Sequence, residues 1–471
     1  MKRIVIDPVT RIEGHAKITI TLDDSGAVAG TQFHVTQVRG FEKFVEGRPF
    51  YEMPGITARI CGICPVSHLM AAAKACDAIM AVRIPPAAKL LRELIHCGQF
   101  VQSHALSFFH LSAPDLLLGM DSDPARRNVL GLAEKYPELA REGIALRKFG
   151  QRIIEAVAGE RVHPSGVVPG GVSRPLDPEV RDEILAGLAP ARETARKVLA
   201  LFKATLDGFA EEVAHFGSMD TMYAGLVDAE GTLQWYDGAI RFQSADGAAV
   251  ETVPGERYAT FIGEAAMRDT FLKSPYFKPR GYPAGIYRVG PLARLNVADH
   301  LGTPVADAEL AEYRQRFGRV VSSSFHYHYA RLIEIVAALE RIRTLLETPG
   351  VLDRHVRARA SVNSLEGIGV AEAPRGILIH HYQVDEQGAM KWANLIIATG
   401  HNNLAINRSV EQVSKHYIHG DKLDPGMLNR VSAVVRAYDP CLSCSTHAAG
   451  LVPLRIELVD AAGRLLDAVA T

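Results

Sequence analysis

The sequence predicts an α+β fold that is predominantly α, a large helical core with small β segments at the N-terminus, as inserts and near the C-terminus. Three observations predict it: strand-like alternation in the first 40 residues, helical periodicity from about residue 60 onward, and β-like stretches that return near 231–247 and 374–400.

At the N-terminus, "HAKITITLDDSGAVAG" alternates Ala16, Ile18 and Ile20 with polar residues and then turns at Asp23-Asp24-Ser25-Gly26, a hairpin signal. Helical spacing is clearest in "ARLIEIVAALERIRTLLE", where Leu332, Ile335, Val336, Leu339, Ile342 and Leu346 fall on one face. The stretch from about 177 to 215, opened by Asp177-Pro178, reads the same way. "GTLQWYDGAIRFQSADG" interrupts the helices, and "PRGILIHHYQVDEQGAMKWANLIIATG" returns to strands. No fixed-period repeat, low-complexity tract or long linker divides the chain, so one large α-rich unit is the simplest organisation.

Composition narrows the function. Across 471 residues, 48% are apolar, and 52 Lys and Arg balance 53 Asp and Glu. A near-neutral surface gives no electrostatic reason to expect nucleic acid or an anionic membrane as partner. The start, "MKRIVIDPVTRIEGH", lacks the apolar core of a secretion signal, and no run of 18 or more uncharged apolar residues exists, so a soluble, cytoplasmic protein without a membrane span is expected. Six cysteines, four of them in two C-x-x-C pairs, are too few and too clustered for a disulfide scaffold. Metal or redox chemistry is the leading use.

The first pair, Cys61 and Cys64, precedes Pro65 and an Ala-rich segment, which places it in the turn leading into a helix, where unpaired N–H groups favour thiolates. The second, Cys441 and Cys444, has the same spacing and follows Pro440. Four thiolates suit zinc, an iron–sulfur cluster or a soft transition metal. Zinc ribbons place their pairs about 15 to 20 residues apart, whereas these stand at opposite ends of the chain. Cys76 and Cys97 lie in apolar helical surroundings and read as core residues. His68, four residues after Cys64 and on the same helix face, is placed either to hydrogen-bond that sulfur or to pack as an ordinary core histidine.

Together these motifs resemble a family. "RICGICPVSH" is similar to the R-x-C-G-x-C-x-x-x-H signature of nickel–iron hydrogenase large subunits, and "DPCLSCSTH" to their D-P-C-x-x-C-x-x-H signature. "VTRIEGH" at 9–15, "RGFEKF" at 39–44 and "EAPRG" at 372–376 match three further elements in the family's order. "VRGFEKFVEGRPF", "SHALSFFHLSAPDLLLGMDSDP" and "YRVGPLARLNV" look like the soluble, bidirectional NAD-linked subgroup.

The resemblance implies reversible heterolytic cleavage of dihydrogen at a nickel–iron centre whose iron carries carbon monoxide and cyanide. It implies that Cys61 and Cys441 are terminal nickel ligands, and that Cys64 and Cys444 bridge nickel and iron. Arg375 would reach toward the site, while Pro374 and Thr399 would line the pocket around the cyanides. Cys441 would take the proton and Glu13 would pass it on. Magnesium would be held by Glu42, the Leu395 carbonyl and His447, although an imidazole is not magnesium's usual partner.

Electrons must leave through other subunits, since Cys76 and Cys97 cannot build a four-thiolate cluster. Nor does the chain hold a nucleotide fingerprint: its nearest approach, "EGIGVAE", has Glu372 where the third glycine should stand. The family supplies a small iron–sulfur hydrogenase subunit, together with flavin- and NAD-binding diaphorase subunits that carry FeS clusters and FMN. Other acceptors (NADP, a deazaflavin, a disulfide reductase) and a regulatory hydrogen sensor are the alternatives. A metal-free quinone-oxidoreductase subunit of the same fold is disfavoured by the four cysteines. The resemblance finally implies a single domain over residues 1–447 and a C-terminal extension, 448–471, that a maturation endopeptidase removes between His447 and Ala448. Retained, "PLRIELVDAAGRLLDAV" reads as strand, turn and strand.

Overall fold

The computed structural model describes residues 2–267, 269–419, 423–448, 455–459 and 464–470. The chain opens with an antiparallel meander, β1 (Lys2–Ile6), β2 (Ala16–Leu22) and β3 (Val28–Val35). Ala16, Ile18, Ile20 and Leu22 of β2 are all buried, so the period-two pattern of the sequence is the pattern of burial. Asp23 makes the turn, its Oδ1 accepting from the N–H groups of Ser25 at 2.9 Å and Ala27 at 3.0 Å.

Helices then dominate. The long ones are α1 (Pro65–Met80), α2 (Pro86–Ala105), α3 (Pro137–Ala158) and α4 (Pro178–Thr205). Each begins on proline, whose missing N–H costs nothing in a first turn. A π-helical segment, Leu106–Ser112, continues α2.

A second sheet follows, with β4 (Met222–Val227), β5 (Ala239–Gln243), β6 (Ala249–Val253) and β7 (Tyr287–Arg288) in the order β7-β4-β5-β6. The β insert expected over 231–247 is therefore shorter than the sequence suggested. Only β5 is a strand, and Thr232 and Leu233 make isolated bridges to His300 and Val227.

Next come α5 (Pro291–Val297) and α6 (Tyr327–Glu347). Five of the six apolar positions expected on α6 are buried, and Val336 is half-buried. The helix is nonetheless not amphipathic, because Arg331 and Glu334 are buried as well. It runs through the interior with Glu334 paired to Arg294, while Arg331 Nη2 donates to the Ala437 carbonyl at 2.6 Å.

A third sheet, β8 (Glu366–Ala373), β9 (Gly376–Val384) and β10 (Met390–Ile396), is an antiparallel meander. Its first strand contains "EGIGVAE", and the two glycines have a packing reason. A Cβ on Gly367 would come within 2.1 Å of the Ala75 carbonyl oxygen, and one on Gly369 within 1.9 Å of that of Ala71, so their absence lets β8 lie directly on α1. Two more helices, α7 (Asn403–Tyr417) and α8 (Pro425–Tyr438), lead into the second cysteine pair.

Near the C-terminus, β11 (Arg455–Val459) and β12 (Leu465–Ala470) pair antiparallel, with Arg455 opposite Ala470. The turn expected between them lies outside the described residues. Among the described residues, no helix is long and apolar enough to cross a membrane.

Burial has a consequence for pH. His96, His328 and His401 are enclosed, and loss of hydration pushes each from 6.5 down to about 3. Each is neutral when folded and takes up a proton on unfolding below about pH 6.5, so the stability present above that pH is lost as pH falls toward the folded values. The thermal midpoint is expected to drop between pH 6.5 and about 4.5, each histidine contributing up to about 1.4 kcal/mol per pH unit. A midpoint flat across that range in a calorimetric pH series contradicts this account.

Candidate metal centre

A short 3-10 turn, Ala58–Ile60, delivers Cys61, and Cys64 caps the N-terminus of α1, immediately before Pro65. From the other end of the chain, α8 stops at Asp439, whose left-handed backbone (φ 54°) swings Cys441 and Cys444 toward the first pair. The two pairs meet: Cys61 Sγ lies 3.3 Å from Cys441 Sγ, Cys64 Sγ 3.3 Å from Cys444 Sγ, and Cys441 Sγ 2.8 Å from Cys444 Sγ. All four are free cysteines, buried, and their sulfurs lie within 4.8 Å of one another.

Hydrogen bonds from Cys441, Cys444 and Cys64 hold the Cys61 thiol well below the usual thiol range, whereas burial holds those of Cys441 and Cys444 well above it. The sulfurs thus share protons that a bound cation would replace. Four soft, buried donors around one point fit a soft transition-metal centre and not magnesium or calcium.

Glu13 is bound to this loop by its main chain and its carboxylate. It forms a parallel bridge with Cys441, and its carbonyl accepts from Leu442 N–H at 3.1 Å. Its Oε2 accepts from the Cys441 thiol at 3.1 Å and from Ser443 N–H at 3.1 Å, while the Ser443 hydroxyl donates to Oε1. Thr399 Oγ1 accepts from Cys441 N–H at 2.9 Å, so this residue holds the backbone of the cysteine itself.

Arg375, buried, donates from Nε to the Asp439 carbonyl at 2.6 Å, from Nη2 to Asp439 Oδ1 at 3.1 Å and from Nη1 to Ser103 Oγ at 3.3 Å. Burial opposes its charge, but Asp439 and the sulfurs of Cys441, Cys64 and Cys61 keep it protonated well beyond the ordinary arginine range. Pro374 contributes a carbonyl that accepts from Arg294 at 3.0 Å.

Residues 39–160 and 209–447 match the sequence profile of the nickel-dependent hydrogenases, and residues 3–38 match a second profile described as HoxL-like. The chain belongs to the nickel-dependent hydrogenase family. This hydrogenase is 40% identical over 482 residues to the NAD-reducing hydrogenase HoxS subunit beta of Cupriavidus necator, covering 99% of each chain. It is 44% identical over 415 residues to a component of the F420-non-reducing vhu hydrogenase of Methanocaldococcus jannaschii, covering 88% of this chain and 99% of that one. The crystal structure of an NAD+-reducing NiFe-hydrogenase in the H2-reduced state matches with a TM-score of 0.92 and 44% identity, covering 95% of this chain and 100% of that one. The Ni-Fe-Se hydrogenase from D. vulgaris Hildenborough shares the fold, with a TM-score of 0.77 at 22% identity, covering 95% of this chain and 100% of that one.

Three more expected residues are Glu42, Leu395 and His447. Glu42 Oε1 accepts from the Leu395 N–H at 2.9 Å, and Lys273 Nζ stands 3.6 Å from the same oxygen. His447 is buried with both ring nitrogens unpartnered, and its ring meets that of Phe41, the neighbour of Glu42, edge-on at 5.2 Å. Burial pushes its pKa to about 3, so the imidazole is neutral. A neutral imidazole and a half-buried carboxylate are both donors a cation can use, and the Lys273 ammonium is the charge that competes for Glu42.

The His68 ring takes His380 as its hydrogen-bond partner, 3.2 Å away, and His380 in turn meets the Tyr382 hydroxyl at 2.6 Å. Sequence reasoning missed Asp439 and Ser443 as partners of Arg375 and Glu13, although both stand inside "DPCLSCSTH". It also missed Ser103 and Arg294, which only the fold brings to the site.

Proposed function

We propose that this hydrogenase chain holds a nickel–iron centre on Cys61, Cys64, Cys441 and Cys444, and cleaves dihydrogen in a complex that passes the electrons to NAD. The observation that carries this reading is the meeting of four buried thiols with the Glu13 carboxylate on one of them. When bound, the centre supplies the redox and Lewis-acid capacity that splits dihydrogen.

The chain's own residues manage the proton. Cys441 Sγ holds it and Glu13 Oε2 receives it, across the existing 3.1 Å hydrogen bond. Ser443 fixes both carboxylate oxygens of Glu13. Arg375, anchored on Asp439, keeps a positive charge beside the sulfurs. Glu42, Leu395 and His447 would hold magnesium, and carbonyl and cyanide ligands would complete the iron, with Pro374, Thr399 and Arg375 around them.

Electrons leave through an iron–sulfur partner and flavin- and NAD-binding subunits. In support, Cys76 and Cys97 are the two thiols that remain, both buried, and two are too few for a four-thiolate cluster. The identity to F420-non-reducing relatives favours a second reading with another acceptor.

We assign residues 1–447 to one domain and 448–471 to an extension cut off after His447, in keeping with a family match that runs to residue 447. One preparation tests both readings, the complex purified from its own host. Dihydrogen is expected to reduce NAD faster than NADP, a deazaflavin or a disulfide, and the intact mass of this chain is expected to end at His447. Faster reduction of another acceptor overturns the first, and a full-length chain in active complex the second.

A further inference from the structure

The motif "YRVGPLARLNV" forms β7 and α5 and supplies none of the four sulfurs, yet it buries a fully satisfied arginine behind the site. Arg294 has five N–H donors, and each finds an acceptor. Nε donates to Glu334 Oε1 at 2.5 Å, Nη1 to Glu372 Oε2 at 2.7 Å and to the Ala373 carbonyl at 3.0 Å, and Nη2 to Glu334 Oε2 at 2.7 Å and to the Pro374 carbonyl at 3.0 Å. Arg294, Glu334 and Glu372 are fully buried.

The two carboxylates are themselves fixed from two other elements. His104 of α2 meets Glu334 Oε2, on α6, at 2.8 Å, and Leu226 of β4 donates its N–H to Glu372 Oε1 at 3.0 Å. Gly290, which opens α5, lies so close to the Arg375 carbonyl that a Cβ there would come within 2.7 Å of it.

Ala373, the last residue of β8, and Pro374, in the turn between β8 and β9, are the two residues before Arg375. We propose that Arg294 is a positioning residue for Arg375. It holds two consecutive carbonyls at the base of the Arg375 side chain while Asp439 holds its head, so the guanidinium beside the four sulfurs is clamped at both ends. This rests on the reading of that site as the catalytic centre. Packing and charge balance alone would need only the carboxylate contacts. The carbonyl contacts are the ones that point to the turn, and a planar fork can make both sets where a lysine cannot.

The test uses the whole complex. Arg294→Lys keeps the charge but loses the fork. It is expected to lower kcat about 10²-fold at unchanged KM for dihydrogen, as small misplacements of catalytic groups do. Combined with Arg375→Lys, it is expected to add little further loss, because both act through one guanidinium. A crystal structure of Arg294→Lys is expected to show Arg375 drawn off Asp439. Should that variant not fold, the charge-matched pair Arg294→Gln with Glu372→Gln takes its place, with the same expected loss.

Full activity in a folded variant, losses that multiply with Arg375→Lys, or an Arg375 still seated on Asp439 each overturn the proposal. Unaltered complex lacking nickel and iron would instead overturn the reading of the four cysteines.

Discussion

Cys444→Ser is expected to abolish dihydrogen oxidation and to yield a complex whose catalytic chain carries neither nickel nor iron. The sulfur stands 3.3 Å from Cys64 Sγ and 2.8 Å from Cys441 Sγ, buried, so the serine oxygen would occupy the same closed space. The substitution changes the donor more than the shape. A hydroxyl is harder and far less acidic than a thiol, and a soft centre loses one of its four ligands. Metal analysis and a dihydrogen-dependent assay check it together, and retention of both metals contradicts the assignment of this cysteine.

Glu13→Gln separates proton transfer from metal binding. The amide oxygen can still accept from Ser443 N–H, but the side chain can no longer take a proton from Cys441. Turnover is expected to fall by about 10²- to 10⁴-fold, the usual reach of a positioned general base, with nickel and iron retained. Turnover close to that of the unaltered enzyme would place the proton route elsewhere, and loss of metal would make Glu13 a structural residue of the loop.

Much of this site was legible because its chemistry is written in short spacings. Two C-x-x-C pairs, a proline that starts a helix and a period-two strand are local signals, and the structure places Cys61, Cys64 and β2 as those signals require. Other features depend on partners far along the chain. Arg294 reaches Glu334 across 40 positions and Pro374 across 80, and His68 reaches His380 across 312. No periodicity records such pairs.

The same limit explains α6. Its apolar positions were readable, but the burial of Glu334 on the polar side depends on Arg294, which a helical wheel does not contain. The glycines of "EGIGVAE" mattered for the close approach of β8 to α1, a packing role invisible until the two elements meet.

If the four cysteines hold nickel and iron, metal analysis of the chain purified from its own host finds about one nickel and one iron per chain. Stoichiometric zinc in their place rules that centre out.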